Sequence, residues 1–125
     1  MNVRRGDIVW LEEKTPIFIL GKNVQYRCRP YIVISNNINN RNCPTVNLAA
    51  ISKNIDKADY PMHVYLDKNK YRLKYDSIVL TEQVCTVNKE YIKEIKSSLD
   101  NEDMIKFNRA LYIQLLDENL NMAII

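Results

Sequence analysis

Arg29-Pro30-Tyr31-Ile32-Val33-Ile34-Ser35, then Asn36-Asn37-Ile38-Asn39-Asn40-Arg41-Asn42, then Pro44-Thr45-Val46-Asn47-Leu48-Ala49-Ala50-Ile51-Ser52: this stretch decides the fold. Its first part is apolar on both faces, as a central strand is. Pro30 stands at the start, where a missing N–H does least harm. The asparagines read as a polar turn, because Asn tolerates positive φ and bonds its own backbone. The third part reads as a returning strand. Paired as an antiparallel hairpin, opposed residues have numbers summing to about 80 or 81. Arg29 then lies across from Ile51 or Ser52 at the open end.

Outward from this hairpin, strands are expected at Gly6–Glu12, at Met62–Asp67 and at Ser77–Glu82, with an extension of the last to about Val87 open. The chain then turns helical. A short helix is expected around Glu90–Leu99. A longer one is expected to be capped by Asp100, with Met104, Phe107, Leu111 and Leu115 as its apolar side and Asp103 in a loose capping box. Short antiparallel strands followed by a terminal helix suggest a small, partly open barrel with the helix packed on it.

Composition bounds the rest. The 125 residues fit one domain, 1–125, and 46% hydrophobic content supplies a core. No apolar run is long enough for a membrane span, and no signal-peptide segment follows Met1, so a cytoplasmic protein is the expectation. Cys28, Cys43 and Cys85 are odd in number and widely spaced, which reads as free thiols rather than a disulfide framework or a zinc site. Residues 1–77 hold thirteen Lys/Arg against seven Asp/Glu (+6), and residues 78–125 five against eight (−3), which sum to +3. A basic front portion suits a phosphate-binding face.

Few catalytic signatures occur. Two glycines cannot build a phosphate-cradling loop, and the carboxylates form no evident metal cluster, so neither metal nor cofactor is expected. His63 is expected to be a hydrogen-bonded structural residue. The open end of the hairpin is different. A guanidinium at Arg29 and a hydroxyl at Ser52 can hold one phosphate together, with Arg27 and Lys53 flanking them. Tyr26 and Tyr31 are candidates to stack on bases. The plain alternative is strand-end residues facing water.

These residues resemble a known family, the MazF/PemK toxins. Arg5-Gly6-Asp7-Ile8-Val9-Trp10 is similar to its opening motif, residues 29–36 to its second strand, and residues 44–52 to its third. Pro61-Met62-His63-Val64 and Asp76-Ser77-Ile78-Val79-Leu80-Thr81-Glu82-Gln83-Val84 complete a series that runs from about Arg4 to Leu116. The resemblance implies an SH3-like barrel acting as a homodimer, and a metal-independent endoribonuclease cutting single-stranded RNA to 2′,3′-cyclic phosphate and 5′-hydroxyl ends. It implies an antitoxin partner, through which alone DNA is contacted. Arg29 matches the catalytic arginine, and Ser52 the position of a catalytic threonine. Arg27, Gln25, Lys53, Glu82 and Gln83 are expected at the RNA.

One segment departs from the family pattern. Where relatives carry Ser-Glu-Gln-Gly-Gly in a loop, this chain has Asn23-Val24-Gln25-Tyr26-Arg27, preceded by the apolar Ile17-Phe18-Ile19-Leu20. A lid, an antitoxin contact and a dimer contact are all open to that run. Competing functions are a gyrase-blocking toxin resembling CcdB on the same barrel, and a degenerate toxin that only binds its antitoxin. The final residues 119–125 carry no aromatic side chain for a gyrase contact.

Overall fold

The central hairpin forms in the expected register. In the computed structural model, which describes residues 2–19, 22–25 and 29–116 and the side chains of all but 17–19 and 22–25, Tyr31 pairs with Ala50, Ile32 with Ala49 and Val33 with Leu48. In chain order the elements are β1 (Asp7–Leu11), β2 (Pro16–Ile19), β3 (Lys22–Gln25), β4 (Tyr31–Val33), α1 (Asn37–Asn42), β5 (Thr45–Ser52) and β6 (His63–Leu66). There follow α2 (Lys68–Tyr71), β7 (Ser77–Asn88), a 3-10 turn at Lys89–Tyr91, β8 (Ile92–Ser98) and α3 (Asn101–Leu115). Six strands make one antiparallel sheet in the order β6-β7-β5-β4-β1-β8, with β6 and β8 at its edges. Strands β2 and β3 form a separate hairpin, so the stretch read as a loop before Arg29 is partly strand.

Both faces of the sheet are covered, which is why β4 and β5 read as continuous apolar runs. Alternate residues point to opposite sides. Val9, Leu11, Tyr31, Val33, Leu48 and Ala50 join one buried cluster. Ile8, Ile32, Ala49 and Ile51 join the other, with Phe107, Ala110 and Leu111 of α3 packed on them. Tyr31 is therefore core, only 1% exposed, and does not stack on bases; Tyr26 lies outside the described residues. Cys85 is a buried free thiol and Cys43 a half-buried one. Burial pushes the Cys85 thiol up to about 11. Cys28 is not among the described residues.

Further differences from the sequence reading lie in α1, β8 and α3. The asparagine tract is a short helix, α1, rather than an open turn. The Asn36 side chain accepts from the Asn39 N–H (2.9 Å), and buried Asn40 exchanges hydrogen bonds with Ser35, donating to its carbonyl (2.8 Å) and accepting from its hydroxyl (2.6 Å). The side chains that would open a turn instead cap and anchor a helix.

Residues 92–98 form strand β8, not a helix. Along β1, Val9 faces Ile95 while Ile8 faces Ser97, and Trp10 faces Glu94 while Leu11 faces Ile92. Lys96 and Lys93 are thus extra residues, two bulges that place Ile92 and Ile95 in the same cluster despite a spacing of three.

Helix α3 begins at the expected cap, with Asp100 accepting from the Asp103 N–H (2.8 Å). Its buried residues are Asp103, Phe107, Ala110 and Leu111. At about 100° per residue, Leu115 falls roughly a quarter turn from the middle of that stripe, and it is 62% exposed. Asp103 has a tertiary role in place of a capping box. It accepts a short hydrogen bond from the Tyr71 hydroxyl and one from Lys70 Nζ (3.2 Å), tying α3 to α2.

The opening Arg-Gly-Asp motif is structural. Gly6 has φ +89°, and a Cβ there would stand 2.5 Å from Met104 Cε. Asp7 accepts from the Arg4 N–H (2.8 Å) and the Ser98 hydroxyl (2.6 Å), tying the start of β1 to the turn before it and to the end of β8. No helix among the described residues is long and apolar enough to cross a membrane.

The Tyr71–Asp103 bond carries a pH signature. Burial first, and the Asp103 hydrogen bond second, push the Tyr71 hydroxyl from 10.0 up to about 12. The folded chain holds this proton over the interval in which the unfolded chain releases it. The associated stability is complete below pH 10 and is lost as the pH rises towards 12. Urea titrations across this interval should show a shallower alkaline loss in Tyr71→Phe than in the wild type; equal slopes would contradict the assignment.

Candidate active site

Arg29 stands two residues before Tyr31, and Ser52 two residues after Ala50, so the observed register sets them opposite each other at the open end of the β4–β5 pair. The Ile51 N–H donates to the Pro30 carbonyl (3.3 Å) and extends the pairing towards that end. On its other side β5 pairs with β7, with Ser52 opposite Ile78. This second pairing brings the turn before β7 alongside the residues that follow Ser52. The result is a cavity of about 590 Å³ lined by Arg29, Ser52, Lys53 and Asn54 from one side and Leu73–Tyr75 and Ser77 from the other, with Trp10 among its walls.

The electrostatics of this cavity are one-sided. Among the described residues, Arg29, Lys53 and Lys74 line it, and no Asp or Glu does. Among the described residues none of the three has a carboxylate partner. The Lys53 and Lys74 amines instead lie 5.0 and 5.5 Å from the centre of the Tyr75 ring. Ser52 Oγ accepts from the Asn54 N–H (3.1 Å), and among the described residues its own O–H has no acceptor, so it can donate to a ligand. Such a set of donors and cations, without a competing anion, suits a phosphodiester. The Trp10 indole N–H is buried with no partner among the described residues.

A second cavity, of about 570 Å³, opens between β6 and α3. Its cations Lys70, Lys106 and Arg109 face Asp59, Asp67, Glu102 and Asp103. Lys70 is held by Asp100 (2.5 Å) and Asp103 (3.2 Å). These bonds, Asp100 first, raise the lysine's pKa, while Lys70 lowers that of Asp100. With four carboxylates in its walls, this cavity is a poor place for a polyanion.

His63 is one of its lining residues, and both ring nitrogens are engaged. Its Nδ1 donates to the Lys57 carbonyl (2.7 Å) and its Nε2 meets the Glu82 carboxylate (2.9 and 3.1 Å). Tyr60 stacks on the ring at 5.3 Å. This is the structural histidine that the sequence leads one to expect.

The structure therefore brings Arg29, Ser52 and Lys53 together but places Glu82 against His63, outside their cavity. Gln83, the next residue of β7, is half-buried and does not line that cavity either. Gln25 ends β3, with its side chain outside the described set, and Arg27 lies outside the described residues altogether. Among the described residues no three His, Cys, Asp or Glu side chains are grouped to hold a metal ion.

A family model for the PemK-like, MazF-like toxin of type II toxin–antitoxin systems matches residues 4–115. The chain belongs to this toxin family. It is 40% identical over 113 residues to the endoribonuclease MazF of Staphylococcus epidermidis, a match covering 90% of this chain and 91% of that one. The fold is shared with solved structures of lower identity. An endoribonuclease from Mycobacterial species superposes with a TM-score of 0.70 at 17% identity, over 92% of each chain. A MazE–MazF structure from Deinococcus radiodurans does so with a TM-score of 0.67 at 16% identity, over 94% of this chain and 98% of that one.

In the Arg29–Ser52 cavity of this MazF/PemK-family chain, Trp10, Lys74, Tyr75 and Ser77 were not singled out by sequence reasoning as site residues. Lys74 and Tyr75 follow Arg72, whose φ of 60° ends α2. Only the β5–β7 register carries them to Ser52.

Proposed function

We propose that the chain is the toxin of a toxin–antitoxin pair and a metal-independent endoribonuclease for single-stranded RNA, working as one domain and as a homodimer. The observation that carries this reading is the meeting of Arg29 and Ser52 in a cavity that, among the described residues, holds three cations and no carboxylate. The name of the Staphylococcus epidermidis relative, an endoribonuclease, points the same way.

In the proposed reaction the ribose 2′-oxygen forms a bond to the adjacent phosphorus and gives up its proton to water. The bond from phosphorus to the 5′-oxygen breaks, and that oxygen takes a proton from water. A 2′,3′-cyclic phosphate and a 5′-hydroxyl remain. Negative charge builds on the non-bridging oxygens between these events, and stabilising it is the task of the site. Arg29 offers a planar fork of N–H donors to two oxygens, and Ser52 offers one O–H. Lys53 and Lys74 raise the local potential for the flanking phosphates.

Cleavage assays with purified protein test the reading. Discrete cuts in single-stranded RNA, with duplex RNA spared, are expected; a folded protein that cuts neither would refute it. Ser52→Ala removes one hydrogen bond to the developing charge, so cleavage should fall roughly 30- to 1,000-fold. A variant as fast as the wild type would reduce Ser52 to a strand-end residue. The antitoxin is expected to cover this cationic cavity with an acidic segment. A solved relative, an endoribonuclease from Mycobacterial species, is described in complex with its cognate antitoxin.

A further inference from the structure

We infer that Tyr75 is a stacking platform for the nucleobase beside the phosphate held at Arg29 and Ser52, with Lys53 and Lys74 gripping the backbone around it. This rests on the ribonuclease reading of the same cavity and assigns it a base-binding wall.

The ring is placed for that task. Tyr75 is 47% exposed although it is a large aromatic residue. Its backbone is pinned where β7 begins, because the Ser77 hydroxyl donates to its carbonyl (2.8 Å). Its side chain lines the cavity that holds Arg29 and Ser52. The amines of Lys53 and Lys74, at 5.0 and 5.5 Å from the ring centre, have no carboxylate to compete for them among the described residues. Cations resting on an aromatic ring can turn to arriving phosphates while the ring takes a base. Asp76, the neighbouring residue, accepts instead from the Lys68 N–H (3.0 Å) and does not line the cavity.

The other exposed tyrosines are less suited. Tyr60 is stacked on His63. Tyr65 and Tyr60 both line the carboxylate-rich cavity beside α3. Tyr75 is the exposed tyrosine in the cationic cavity, so a polyanion drawn there meets its ring. Stacking on one ring tolerates every base. The ligand is therefore a nucleotide of single-stranded RNA without a fixed identity at this position.

The test uses two RNAs and two variants. Binding is followed with a 2′-O-methylated single-stranded RNA, which cannot be cut. The quenching of Trp10, the only tryptophan and a wall of the same cavity, reports occupancy. Cleavage is followed with the unmodified RNA. Tyr75→Ala should weaken binding and raise KM roughly 5- to 150-fold with little change in kcat, while Tyr75→Phe should remain near wild type. An RNA with an abasic nucleotide next to the scissile phosphate should bind wild type and Tyr75→Ala alike. Wild-type binding by Tyr75→Ala would overturn the inference, as would a loss in Tyr75→Phe equal to that in Tyr75→Ala. A wild-type protein that binds with the expected pattern yet cuts nothing would refute the ribonuclease reading and leave the platform supported.

Discussion

Substituting Arg29 by alanine should lower RNA cleavage by at least about a thousand-fold, on the order of 4 kcal/mol of transition-state stabilisation. The expectation follows from where the charge develops. The phosphorane gathers negative charge on oxygens that Arg29 can grip with two parallel N–H bonds, and among the described residues no other guanidinium lines the cavity. Lys53 and Lys74 supply charge but not that fork, so Arg29→Lys should recover only part of the loss. The fold should survive, because Arg29 stands before β4 with no ion pair to a described residue. Cleavage rates measured beside circular dichroism and melting curves separate the two effects. Near-wild-type cleavage by a folded Arg29→Ala protein would move the site elsewhere.

Phe107→Ala should be among the most damaging changes to stability. The ring is fully buried where α3 packs on Ile8, Ile32, Ala49 and Ile51. The Arg5 guanidinium lies over it at 5.0 Å, half-buried itself, and desolvation lowers its pKa. Arg5 also donates to the Ile34 carbonyl (3.2 Å) and to the Asn108 side chain, so one aromatic ring supports the junction of β1, β4 and α3. Emptying such a site costs about 3–5 kcal/mol, a large part of the roughly 5–15 kcal/mol that stabilises a domain. The urea midpoint should fall accordingly at an unchanged m-value. A loss below about 1 kcal/mol would mean that α3 is not anchored through Phe107.

The same packing explains what could be read from the chain beforehand. Strands β4 and β5 were legible because apolar residues on both faces admit little besides a covered central strand, and their register then set Arg29 opposite Ser52. Strand β8 was not, because the bulges at Lys93 and Lys96 turn a period of two into a spacing of three. The asparagine tract misled for a related reason: the same side chain that favours a turn can cap a helix, and only contacts with Ser35 decide between them. Of the site, the half carried by one hairpin was visible. The half carried by Lys74 and Tyr75 was not, since it arrives through the pairing of β5 with β7, more than twenty residues further along the chain. Glu82, expected at the RNA, has His63 as its partner and stands outside the Arg29–Ser52 cavity.

In the proposed reading this cavity cleaves RNA by internal attack of a 2′-hydroxyl, using side chains alone. The most direct measurement is to incubate the purified protein with a long mixed-sequence RNA in EDTA and determine the chemistry at both new ends. Discrete cuts bearing 2′,3′-cyclic phosphates and 5′-hydroxyls are the predicted result. Cuts that leave 5′-phosphates, or that disappear in EDTA and return with added metal, would contradict it.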